Sequence, residues 1–315
     1  MIVTIIDFIE DIPDKYYSHK TLESYFFIKL LKENGYSVNR NNILGIEDFI
    51  VIRLSQPNFF GGIIKQYKVN EIKKIIKSEA KIYFLANDPR IKLINYANVY
   101  KKRGCNITDE QVILFDNVIK NSTAIFSGQN YTKFHNNDLK SIHVNYFAYI
   151  FYNILQINKH NSDISLFSES YNYNYDFVYY GDNRGKYRHE LLLKYIPKET
   201  NNIIIAYKKL NGNKKLKHNQ LLKILNKCKT SLIISDKEHQ KNVLTYRYYE
   251  VMMSNCFACI PFEYCNIDYA PKDNFISSNK DIEYIINNFD SKLIVNQNKF
   301  IETYLEQFSN LKIVL

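Results

Sequence analysis

The chain has 315 residues, 46% of them hydrophobic, with 42 Lys and Arg against 32 Asp and Glu, for a net charge of +10. This length and composition predict two domains of ordinary size with real cores. No apolar run reaches the ~18 residues that a bilayer crossing needs. The opening Met-Ile-Val-Thr-Ile-Ile-Asp-Phe lacks a basic signal region, and five Cys, an odd count, fit reduced thiols, so a cytoplasmic protein is expected.

The excess positive charge favours a polyanionic partner. It is spread evenly: residues 1–157 carry 20 basic and 15 acidic side chains, and residues 158–315 carry 22 and 17. There is no basic tail, so any nucleic-acid contact must come from folded surfaces. Abundant Lys, Asn, Ile and Tyr with no Trp match A/T-rich coding, which accounts for part of the basicity.

In chain order, residues 2–6 read as a buried strand. Residues 20–34 read as a helix with Leu22, Phe26, Leu30 and Leu31 on one face and Gly35 as its C-cap. Strands follow at 36–38, 48–54 and 81–85, with a basic amphipathic helix at 69–77. Short strands are expected at 124–126 and 144–146, and a crossover helix at 147–156. Alternating strand and helix implies a parallel α/β sheet. The polar stretch 157–175 is the expected linker. A second strand–helix series occupies 177–180, 186–196, 202–206, 219–228, 230–235, 245–254 and 257–261. Helices at 281–288 and 297–307 end the chain. The expected division is an N-terminal domain over 1–160, a second over 171–295, and a C-terminal helix in 296–315 packing back on the first.

The most informative stretch is 176–197. Phe177 to Tyr180 is β-rich, Gly181, Asp182 and Gly185 make a turn, and a helix runs from Lys186 until Pro197 stops it. A helix N-terminus offers free N–H groups to an anion. Arg184 and Arg188 are four apart and share a face if the helix begins near Arg184. Only seven of the basic residues are Arg: 40, 53, 90, 103, 184, 188 and 247. In a chain that otherwise uses Lys, Arg marks geometry that Lys cannot supply, such as bidentate binding of phosphate oxygens. The plain alternative is two solvated arginines.

Asp88 follows a strand directly, where open α/β sheets bind ligands. It suits a general base, while on local sequence alone an Asx turn or helix cap is the plainer reading. Asn58-Phe59-Phe60-Gly61-Gly62 also follows a strand. Its aromatics can stack on a base, or be buried under a helix. Arg247 and Glu250 share a helix face, suited either to phosphate and ribose or to an intrahelical ion pair. Cys256-x-x-Cys259 lies in an apolar strand without a second pair and reads as core thiols rather than zinc ligands. There is no G-x-G-x-x-G, Walker A or Asp-x-Asp motif. A sugar-nucleotide enzyme of this sequence would hold its diphosphate with Arg and backbone N–H groups.

These pieces, in this order, resemble the DNA β-glucosyltransferases of T-even bacteriophages. The resemblance covers about residues 2–260. It is carried by Asn58 to Gly62, by Lys81 to Leu85 with Asp88 and Arg90, and by Gly181 through Arg184 and Arg188. Leu232-Ile233-Ile234 with Asp236-Lys237, and Thr245 with Arg247, Glu250, Met252 and Ser254, complete it. It implies a glycosyltransferase B fold, two Rossmann-like domains facing across a cleft, the first receiving DNA and the second a UDP-sugar. The implied reaction moves glucose from UDP-glucose to 5-hydroxymethylcytosine in duplex DNA, with inversion and base flipping. By the same resemblance Asp88 matches the catalytic base and Glu23 an active-site carboxylate near the sugar. Arg184, Arg188 and Arg247 match diphosphate ligands, and Glu250 the ribose ligand. Leu216 matches the residue backing the uracil. Ser55, Asn58 and Phe60 fall in the DNA-contacting loop, with Arg90 beside it.

Three departures sit at the implied donor site. His239 replaces a Tyr, Asp182 replaces a Ser, and His19 replaces a small apolar residue. The segment 89–104 also diverges. No tightly bound cofactor is expected, though Mg2+ or Mn2+ can assist UDP departure without an Asp-x-Asp motif. The expected partners are modified duplex DNA and a UDP-sugar, with the protein a monomer in the infected host cell.

Overall fold

The computed structural model describes residues 1–6, 19–54, 69–86, 96–102, 108–127, 139–160, 172–182, 186–207, 218–235, 237, 245–264 and 269–315. The chain divides into two compact units, Met1–Tyr146 with Leu311–Leu315, and Phe147–Asn310.

The first unit is built on β1 (Ile2–Ile6), β2 (Ser37–Arg40), β3 (Phe49–Leu54), β4 (Lys81–Ala86), β5 (Ser122–Ser127) and β6 (Lys140–Val144). They form a six-stranded sheet in the order β2-β1-β3-β4-β5-β6, and every pairing is parallel. Strands such as Ile50-Val51-Ile52 are buried continuously, as expected where helices cover both faces of a parallel sheet. Helix α1 (His19–Glu33) buries Phe26, Phe27, Leu30 and Leu31. It ends at Gly35, whose φ of 82° lets the Gly35 N–H reach the Lys32 carbonyl and the Tyr36 N–H reach that of Leu31, a Schellman closure. Helices α2 (Val69–Lys77), α3 (Tyr96–Lys102) and α4 (Asp109–Lys120) follow.

The C-terminal Leu311–Leu315 is tied to the end of α1 and the residues after it. Asn34 Nδ2 donates to the Leu311 carbonyl (3.2 Å) and the Ile313 N–H to Asn34 Oδ1 (3.3 Å). The Leu315 N–H donates to the Tyr36 hydroxyl (3.0 Å).

Helix α5 (Tyr146–His160) leads into the second unit, where Phe151 stacks on Tyr249 at 4.6 Å. Strands β7 (Tyr175–Asp182), β8 (Asn202–Tyr207), β9 (Cys228–Leu232), β10 (Phe257–Pro261) and β11 (Phe275–Ile276) pair in the order β11-β10-β9-β7-β8, again all parallel. Around them lie α6 (Lys186–Tyr195), α7 (His218–Leu225), α8 (Tyr246–Met252), α9 (Asn279–Asn287) and α10 (Ser291–Glu306). Counting each sheet from its own first strand, the first unit has the order 2-1-3-4-5-6 and the second 2-1-3-4-5. Each therefore reverses direction of winding between its first and third strands, β1/β3 and β7/β9, and such a switch point is where open α/β sheets bind ligands.

Several sequence expectations shift. The strand expected at 144–146 lies at Lys140–Val144, because Tyr146 already begins a helix. That helix was expected in the first domain. Its aromatic face instead packs on α8, so the change of unit comes at Phe147 rather than in 157–175. The final helix, expected on the first domain, packs within the second. Gln297, fully buried, accepts from the Ala258 N–H (2.8 Å) and from Asn274 Nδ2 (2.9 Å) and donates to the Cys256 carbonyl (3.0 Å). Only the last five residues join the first unit.

Candidate functional site

In the second unit the switch point collects five residues. Strand β7 carries Tyr179, Tyr180 and Gly181 to its C-terminal end. Helix α8, entered from Thr245, presents Arg247 and Glu250 towards it. The Tyr180 hydroxyl donates to Glu250 Oε2 at 2.8 Å. Arg247 Nη1 donates to the carbonyl of Ile234, just beyond β9. The guanidinium carbon lies 5.2 Å from the Tyr180 ring centroid and 5.4 Å from that of Tyr179, within cation–π range. The side chain thus bridges the two strands that flank the switch point.

Gly181 makes this possible. A Cβ there would fall 1.8 Å from Arg247 Nη2, and the φ of 139° is one that L side chains rarely adopt. Burial, and then the charge of Glu250, push the Tyr180 hydroxyl well above its usual pKa, so it is a permanent donor. Among the described residues, Arg247 Nε is buried without a hydrogen-bond partner. A guanidinium with a donor to spare beside a fixed carboxylate suits a ligand that is anionic at one end and hydroxylated at the other.

Arg188 lies on the first turn of α6, and its charge acts on Tyr264. The Tyr264 hydroxyl donates to the Ser235 carbonyl and accepts from the Ser235 N–H at 3.2 Å. The start of α6 and the end of β9 are thereby linked.

In the first unit the corresponding switch point holds Glu23. Arg53, on β3 and 1% exposed, donates from Nη2 to Glu23 Oε2 at 2.7 Å and from Nη1 to the Ser24 hydroxyl. The Tyr146 hydroxyl donates to the Glu23 carbonyl.

Of the residues expected at a site, Glu23, Arg188, Arg247 and Glu250 are described in full. Arg247 and Glu250 are brought together with Tyr180, an arrangement different from the plain intrahelical ion pair. Asp182 ends β7 and His19 begins α1 as backbone only. Asp88, Arg184, Leu216, His239, Ser55, Asn58, Phe60 and Arg90 lie outside the described residues. Tyr180 and Arg53 were not expected at the site. The signal for Tyr180 was its place immediately before Gly181, and for Arg53 its membership of a set of seven.

Cys256 and Cys259 are fully buried thiols pushed up by desolvation, and Cys228 is pushed up to about 12 by the same cause. Thiols so placed are inert. Among the described residues no group of three or more His, Cys, Asp or Glu could hold a metal, and no helix is long and apolar enough to cross a membrane.

No family model matches the chain, and no curated protein sequence does. Solved structures do. T4 phage BGT in complex with UDP and Mn2+ covers 98% of both chains with 17% identity and a TM-score of 0.68. T4 phage BGT with its UDP-glucose substrate covers 98% of this chain and 96% of its own, with 16% identity and a TM-score of 0.63. The DNA-modifying enzyme β-glucosyltransferase, solved with and without uridine diphosphoglucose, covers 98% and 95%, with 15% identity and a TM-score of 0.64. The fold is therefore the glycosyltransferase B type of these structures, as the sequence resemblance implied.

Proposed function

We propose that the protein is an inverting DNA glycosyltransferase. It moves a sugar, glucose in the first instance, from a UDP-sugar to the hydroxymethyl group of a modified pyrimidine, 5-hydroxymethylcytosine, in duplex DNA. The observation that carries this reading is the Arg247, Glu250, Tyr180 and Gly181 cluster, at a switch point of a fold matched over 98% of the chain by a phage glucosyltransferase.

The chemistry assigns each residue a task. Arg247, Arg188 and Arg184 meet the diphosphate, and cationic donors fixed in advance stabilise the charge that develops on the leaving UDP. Glu250, held by Tyr180, accepts from ribose hydroxyls. His239, Leu216, Asp182 and His19 complete the donor site. Asp88 takes the proton of the acceptor hydroxyl as it attacks the anomeric carbon, because a primary alcohol is a poor nucleophile. Glu23 faces the sugar. The acceptor base lies inside a duplex and must be flipped out. Ser55, Asn58, Phe60 and Arg90 contact the DNA, and the +10 charge supplies sequence-independent attraction to its phosphates. A divalent ion bound beside the UDP would neutralise diphosphate charge and help it leave.

Incubation with UDP-glucose and duplexes containing hydroxymethylcytosine or hydroxymethyluracil, followed by nucleoside mass spectrometry and UDP release, tests the reading. The expected product is a glucosylated hydroxymethylcytosine. No turnover of any UDP-sugar on either duplex defeats it.

A further inference from the structure

We infer that Arg53 and Tyr146 are positioning residues that hold Glu23 in place for the transferred sugar. This rests on the transferase reading and adds to it two residues outside the donor site.

The starting point is an improbable side chain. Arg53 is one of only seven arginines, and it stands 1% exposed in β3 beside the buried Val51 and Ile52. Taking a guanidinium out of water is costly unless its charge is paired and its donors are used. A merely structural position is served as well by an apolar side chain of similar volume. Here two arms of the fork are spent on consecutive residues of α1. Nη2 donates to Glu23 Oε2 at 2.7 Å and Nη1 donates to the Ser24 hydroxyl. Two bonds from one rigid plane fix a direction as well as a distance, which a lysine in the same place would not do.

A second restraint reaches the same residue from another element. Tyr146, fully buried and edge-on to Phe27 at 5.5 Å, donates its hydroxyl to the Glu23 carbonyl. Glu23 is thus held by its carboxylate from β3 and by its main chain from the start of α5. The residues that hold it are buried, while the Glu23 side chain is 12% exposed. A reachable carboxylate on an unreachable support, beside the β1/β3 switch point, is the arrangement of a ligand-facing acceptor with a preorganised second layer. Its chemistry suits the hydroxyls of a hexose.

The test uses the full chain with UDP-glucose and hydroxymethylcytosine duplex. Kinetics are measured for the wild type, Glu23→Gln, Arg53→Met, Arg53→Lys, Tyr146→Phe and the Glu23→Gln/Arg53→Met double variant, with UDP affinity by calorimetry and folding by circular dichroism. Glu23→Gln and Arg53→Met should each lower kcat by about 10–10²-fold, the scale of a misplacement of about 1 Å. UDP affinity should hold. The double variant should be no slower than the slower single, because the two side chains act as one unit. Arg53→Lys should recover part of the loss, since it restores charge but not the fork. Tyr146→Phe, which keeps the buried ring, should cost about 2–10-fold in kcat with donor KM unchanged.

Additive losses, or wild-type kcat in a folded Arg53→Met, overturn the inference. If Arg53→Met does not fold, wild-type kcat in Tyr146→Phe overturns it. A wild type that turns over no UDP-sugar defeats the transferase reading and this inference with it. An active wild type with additive losses leaves the transferase reading standing and removes only the positioning role.

Discussion

The guanidinium of Arg247 occupies the space in which any residue but glycine at position 181 would carry its side chain, with Nη2 1.8 Å from that point. Gly181→Ala must therefore push Arg247 off the Ile234 carbonyl and also strain a φ of 139°. The expected cost is about 1–3 kcal/mol of stability, with a loss of UDP affinity that exceeds what the unfolding shift alone explains. Chemical denaturation and calorimetry on the same preparation check both.

Tyr180→Phe is a gentler probe of the same cluster. It keeps the ring beside Arg247 and removes the hydroxyl's bond to Glu250, together with its longer 3.5 Å contact to the Arg247 carbonyl. A hydrogen bond to a charged group contributes about 1.5–3 kcal/mol, so donor KM should rise by roughly tenfold or more with kcat little changed. Unchanged KM would detach Glu250 from the ribose.

Much of this was legible in the sequence, and the losses have physical causes. The positions of strands along the chain could be read because parallel strands buried on both faces are apolar throughout, as in Ile50 to Ile52. Helix α4 was not foreseen, although Thr108 and Gln111 form a capping box at its start. Its apolar residues open with the continuous run Val112 to Phe115, which blurs the helical period, and the box was the clearer signal. Helix α10, expected on the first domain, lies within the second unit, where Gln297 is a buried polar residue. Its burial rests on partners from β10 and the segment before β11, which no local pattern reveals. At the site, the pairing of Arg247 with Glu250 on one helix was visible, but the third member, Tyr180, lies 70 residues away in sequence. Long-range partners of this kind have no periodicity to betray them.

The role of Gln297 can be measured. Gln297→Leu matches its size but leaves the Ala258 N–H and the Cys256 carbonyl without their partner. Orphaned buried groups cost about 1–3 kcal/mol each, so urea denaturation should show a loss of about 2–4 kcal/mol. The variant should retain UDP affinity once folded.

Acid should weaken the first unit through Glu47. Burial alone would raise its carboxyl pKa, but the Leu44 and Glu47 N–H groups, the Thr4 hydroxyl and the Gly45 N–H hold it below the usual 4.5. A depressed folded-state value means that the stabilisation is fully present above the unfolded pKa and is lost as pH falls through the folded one. The wild type should therefore lose more Tm between pH 6 and pH 3 than Glu47→Gln does. Parallel melting curves for the two would contradict this.

Asp88 and Arg188 should separate base from ligand. Asp88→Ala is expected to leave UDP-sugar binding nearly intact and to lower turnover by about 10²–10⁴-fold, the usual contribution of general-base catalysis. Arg188→Ala removes a group present in both ground and transition states, so donor KM should rise as kcat falls. Near-normal kcat in Asp88→Ala would reopen Glu23 as the base.

Because the first unit is made of residues 1–146 and 311–315, the second is an insertion within its chain. On the ribosome, Asn34 and Tyr36 emerge early, but Leu311, Ile313 and Leu315, which bind them, are made only after the whole insertion. At typical elongation rates that interval is roughly 10–30 s. Throughout it the nascent first unit must persist without this clasp, exposed to chaperones and proteases, so residues 311–315 decide when the earlier ones are secured.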